Sequence, residues 1–106
     1  MARVAISTVV IEDTVYVSED VEQAERLRDP THVRSYTEGE WRAFFGGAGL
    51  DVREIAFVEK RRSVAEWLAR TGCVGADADR VRTLLGERIE GEDYVDTKIL
   101  LRGAKR

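Results

Sequence analysis

The sequence predicts an α/β domain, a small three- to four-stranded mixed sheet with helices packed on it. Three observations predict it. The run Val4-Ala5-Ile6-Ser7-Thr8-Val9-Val10-Ile11 is almost continuously apolar and β-branched, as suits a strand covered on both faces. Thr37 and Ser63 each stand three residues before a glutamate, at the head of apolar residues with helical spacing. Tyr94 to Arg102 alternates enough between apolar and polar residues to form a further strand.

Composition bounds the class. A chain of 106 residues buries roughly two thirds of its unfolded surface, enough for one core without metals or disulfides, so residues 1–106 read as a single domain. Hydrophobic residues make up 43% and charged ones 35%, which excludes a disordered or membrane-embedded class. The net charge of −3 and a pI near 5.2 argue against a nucleic-acid binder, which needs a basic excess or face. Cys73 has no second cysteine to pair with, and no signal segment or long apolar run is visible, so a cytoplasmic protein is expected.

In chain order, the first strand runs from Val4 to Ile11 and is expected to be central in its sheet, with Glu12 and Asp13 ending it. Thr14 to Val17 either folds back as a hairpin or forms a loop. Ser18 N-caps a short helix from Glu19 to Arg28, with Val21, Ala24 and Leu27 on its apolar side, and Asp29-Pro30 stops it. The capping box Thr37/Glu40 starts the next helix at about Glu38; Trp41, Phe44 and Phe45 form its stripe, and Gly49 offers a left-handed stop. A strand from Val52 to Val58 follows, and Lys60-Arg61-Arg62 reads as a basic turn, a solvated connection or an anion contact. Ser63 and Glu66 form a second capping box, opening a helix with Val64, Trp67 and Leu68 that Gly72 closes. Asp77 or Asp79 caps a further helix with Val81, Leu84, Leu85 and Ile89 as its stripe. After the last strand, Arg102 to Arg106 is a basic tail.

The run Arg28-Asp29-Pro30-Thr31-His32-Val33-Arg34, followed by the Glu40-Trp41-Arg42 helix and Ala48-Gly49-Leu50, resembles the carboxyl-terminal half of class I S-adenosylmethionine-dependent methyltransferases, in the branch that includes the ubiquinone/menaquinone-biosynthesis type. The resemblance covers essentially the whole chain. It implies that Val4 to Ile11 corresponds to the fifth strand of that Rossmann-like sheet, and that Val52 to Val58 and Val95 to Leu101 correspond to its last two strands. The family's first four strands, its Gly-rich cofactor loop and its ribose-binding acid have no counterpart here. The resemblance is to half an enzyme, with no cofactor expected for this chain alone, although the family uses S-adenosylmethionine.

Candidates for chemistry are few. His32, Arg34 and Asp29 lie in a polar loop; the chemistry of His32 permits a base or orienting role as well as a structural one, and the resemblance sets this loop beside the acceptor pocket. Cys73 reads as an inert thiol, and Trp41, Phe44, Phe45 and Trp67 read as core. No metal-ligand spacing is present, and Gly46-Gly47-Ala48-Gly49 ends a helix where an anion cradle would start one. The resulting expectation is a truncated methyltransferase-like domain that is inactive alone, or one half of a split enzyme with a partner chain carrying the cofactor half. The alternatives are a small-molecule-binding or self-associating α+β module and, third, a small dimeric isomerase using His32 as base. A homodimer is expected, because the strand that would flank Val4 to Ile11 is missing and its vacant edge is a template for pairing.

Overall fold

The computed structural model describes residues 8–106. Strand β1 (Thr8–Thr14) leads to α1 (Glu19–Arg28), α2 (Glu38–Gly47), β2 (Leu50–Ser63), α3 (Val64–Ala69), α4 (Gly75–Leu85), a 3₁₀ turn (Gly86–Arg88), β3 (Ile89–Glu90) and β4 (Asp93–Lys105). Both α1 and α2 begin where their caps require. The Ser18 hydroxyl accepts a bond from the Val21 N–H (3.2 Å), and acids in the first turn with Arg26 and Arg28 in the last suit the helix dipole. At α2 the capping box is complete: the Glu40 N–H donates to the Thr37 hydroxyl (3.1 Å) and the Thr37 N–H to the Glu40 carboxylate (3.2 Å). Gly49, at φ 79°, turns the chain out of the helix and into β2.

The strands depart further from expectation. Residues 4–7 of the first apolar run lie outside the described residues, and the run continues as strand to Thr14. The sheet order is β1-β4-β2, with β3 also pairing β4, so the last strand is central and β1 lies at an edge of the described sheet. All three ladders are antiparallel, and the parallel pairing expected of a mixed sheet is reduced to one bridge, Val15 with Tyr36. The apolar run predicts a central position for β1, yet Val10 is 61% exposed, with nothing among the described residues over that face. Lys60-Arg61-Arg62 is strand and not turn, since β4 goes on pairing with it through Asp96, Val95 and Tyr94. The basic tail is likewise absorbed into β4 as far as Lys105.

Smaller corrections are local. Thr14 to Val17 makes no hairpin: the Val15 N–H donates to the Thr97 carbonyl (3.1 Å) and the Tyr16 N–H to the Tyr36 carbonyl (3.0 Å), tying β1 to the loop before α2. At α3 the Ser63 hydroxyl accepts from the Glu66 N–H (3.2 Å), one of the two bonds of a capping box. Helix α4 starts earlier than either aspartate, with Val74 at the cap position and no side-chain bond to it; Asp77 falls in its first turn instead. Ile89 leaves that helix to pair with Tyr94 in the sheet.

Apolar burial divides into two clusters. One joins Val21 and Ala24 of α1 with Val64, Trp67 and Leu68 of α3, Val81 and Leu85 of α4, and Tyr94. The other joins Val15, Phe45 of α2, Ile99 and Leu101. Tyr94 differs in parity from Ile99 and Leu101 along β4, so the two clusters sit on opposite faces of the sheet. Phe45 and Trp67 are buried as expected, whereas Phe44 is 47% exposed, edge-on to Tyr36 and Trp41 at the surface.

Candidate functional site

Strands β1 and β2 both run antiparallel to β4, hence parallel to one another, and their carboxyl ends lie at the same end of the sheet. In open α/β sheets ligands bind at that end. There the structure gathers polar groups from four elements. The Asp96 carboxylate, 3% exposed, accepts from the Thr14 hydroxyl (3.2 Å), while the Arg62 guanidinium and the Lys98 ammonium stand 3.2 and 3.3 Å from the same oxygen. Lys98 also donates to the Thr14 hydroxyl (2.9 Å). The other Asp96 oxygen is buried without a hydrogen-bond partner.

Beside this group α1 buries two carboxylates. Glu22 accepts from the Ser35 N–H (3.1 Å), and its second oxygen lies 3.4 Å from His32 Nε2. Glu25 is 8% exposed, and its nearest cation, Arg28, is 3.9 Å away. Burial pushes the Glu25 carboxyl above its ordinary value of 4.5; His32 and then Arg28 oppose the rise, and the charges of Asp96 and Glu22 add to it. A carboxyl raised in this way holds its proton more tightly than an exposed glutamate does.

The predicted loop residues are separated. His32 joins the buried acids. Arg34 turns to Glu40, with its guanidinium 4.6 Å from the Tyr36 ring centre, and this pairing holds the Glu40 carboxyl down to about 2. Asp29 closes a local turn by accepting from the Thr31 hydroxyl (2.7 Å) and N–H (3.0 Å), which lower its pKa. Glu22, Glu25, Asp96, Thr14 and Lys98 escaped the sequence reading. Isolated acids at helical or strand positions are exposed by default, and only the adjacency of Glu22 and Glu25 to Val21 and Ala24 hinted at the inner side of α1. Among the described residues no cluster of His, Cys, Asp and Glu is placed to hold a metal ion, and no helix is long and apolar enough to cross a membrane.

No family model matches the sequence, nor does any curated protein. Solved structures do. YcgJ of Bacillus subtilis aligns over 93% of this chain and 51% of its own, with a TM-score of 0.80 at 24% identity. A structure described as a "putative methyltransferase" from Bacillus halodurans C-125 aligns over 92% of this chain and 55% of its own, with a TM-score of 0.76 at 16% identity. The fold of the chain is that of about half of each of these two structures. The two like-directed strands end at the polar cluster of Asp96, Glu25 and His32, and the chain spans about half the length of the structures it matches.

Proposed function

We propose that the chain is the acceptor-side half of a class I methyltransferase-like fold, with no S-adenosylmethionine site among residues 1–106 and inactive unless a cofactor half is joined to it. The observation that carries this reading is the match of 93% of the chain to 51% of a larger structure. The acceptor would lie at the carboxyl ends of β1 and β2, against His32 and the buried acids, with Asp29 and Arg34 shaping the loop beside it. The partner would meet the outer edge of β1 and the sheet face carrying Val10 and Val58, 61% and 39% exposed on either side of half-buried Leu100. The lone thiol of Cys73 fits a reducing, cytoplasmic setting.

The test is calorimetry with S-adenosylmethionine on the purified chain. No saturable heat is expected, and a micromolar dissociation constant would overturn the reading that residues 1–106 carry no cofactor site. The same open edge favours a second reading, in which the chain associates with its own copy as a binding module. Light scattering separates the two states of the lone chain: a homodimer appears at about twice 12.0 kDa and a monomer at that mass.

A further inference from the structure

The end of β2 and α3 border an open cavity of about 340 Å³ whose wall includes Lys60, Arg61, Arg62, Glu66, Arg70 and Trp67. Four of these side chains are cationic and one is acidic. Lys60 is engaged by Glu12, Arg61 by Glu90 (2.6 Å) and Arg62 by Asp96 (3.2 Å), each through one nitrogen, and the ion pairs of the described residues include none for Arg70. Arg62 Nε is buried and has no hydrogen-bond partner among the described residues. Trp67, 5% exposed, contributes an edge to the wall, with Arg28 over its ring at 4.1 Å and Tyr94 at 4.8 Å between ring centres. The volume suits a small metabolite rather than a lone ion.

We propose that this cavity binds a small molecule carrying a phosphate or carboxylate group, with Arg62 and Arg70 as its principal donors and Trp67 against the remainder of the ligand. Planar guanidinium groups donate in pairs to either anion, which a solvated surface lysine does not. The neighbouring carboxylates do not fill the role: Asp96 is committed to Thr14, Lys98 and one Arg62 nitrogen, and Glu66 stands alone against the cations. Under the proposed function the anion belongs to the methyl acceptor, a step that rests on that reading, whereas anion binding does not.

Phenyl phosphate, benzoate and inorganic phosphate, titrated separately into the full chain and followed by nitrogen–proton spectra, test the site. Phenyl phosphate or benzoate should shift the Trp67 indole and Arg62 Nε resonances saturably, and the tighter of the two identifies the anion. Inorganic phosphate should bind at least threefold more weakly, for want of a group against Trp67. Arg70→Ala, at an exposed position, should weaken binding about tenfold, while Arg42→Ala, on α2 and outside the cavity, should leave it unchanged. Absence of saturable shifts below 10 mM, equal loss in both variants, or inorganic phosphate binding as tightly as its phenyl ester would overturn the proposal. Binding by a chain that later fails to complement a cofactor half would sink the acceptor step alone.

Discussion

Glu22 and Glu25 decide how the loop after α1 sits. The Glu22 carboxylate is the partner of both the Ser35 N–H and the His32 ring, and its removal strands a buried donor. Glu22→Ala should therefore cost about 1–3 kcal/mol in a denaturant titration. Glu25 acts in the opposite sense. Its carboxyl is raised in the folded chain, so the folded state holds the proton more tightly than the unfolded one, and stability falls as pH rises above 4.5. Glu25→Gln should raise the melting temperature at pH 7, and the advantage should vanish below pH 4; equal melting temperatures at pH 7 would mean that Arg28 and His32 compensate the buried charge. His32 was legible as a candidate from its loop, but its partners were not, because Glu22 lies ten residues earlier and meets it only once α1 has docked.

At the scale of elements, the seat of α2 on the sheet is the most constrained contact. A Cβ on Gly103 would come within 2.5 Å of the Phe45 ring and 3.3 Å of the Asp51 carbonyl. Phe45 is 4% exposed and has no room to withdraw, so Gly103→Ala should destabilise by about 1–3 kcal/mol, measurable as a shift in the urea midpoint. The register of β2 against β4 slips by one residue between Val52 and Glu54, a bulge beside the same contact. Thr37→Ala removes the hydroxyl of the capping box and should cost about 1 kcal/mol, whereas Thr37→Ser should restore most of it. Glycine at 103 carried no sequence signal of this role, since Phe45 is a distant neighbour in the chain.

The whole molecule is drawn out along its sheet. The radius of gyration is 16.9 Å, against about 13 Å for a compact domain of 100 residues. Apolar burial is divided between two clusters on opposite faces of β4. On the bare face Val10, Leu100 and Val58 stand among charged neighbours, since the register sets Arg102 opposite Val10, Glu12 opposite Leu100 and Lys98 opposite Val58. Val10→Lys should weaken self-association or docking of a cofactor half while leaving the unfolding free energy within about 0.5 kcal/mol, as expected of an exposed position. Sedimentation of the variant beside the unmodified chain checks this; an unchanged dimer would move the interface away from that face.

The sequence by itself determined the start of α1 and of α2, the stop at Gly49 and the α/β class, because caps, left-handed glycines and apolar periodicity act within a turn or two of the chain. It also carried, in Arg28 to Arg34 and the helix beyond, the likeness to half of a methyltransferase that the solved structures bear out in fold. Tertiary structure alone decided where the strands end and which is central. Strand length depends on how long a partner goes on pairing, so Lys60 to Arg62 and the tail joined the sheet against their local polarity. The candidate site belongs to the same class of fact: Thr14, Glu25, Asp96 and Arg62 are far apart in the chain, and only burial at the sheet end makes their polar groups matter to one another.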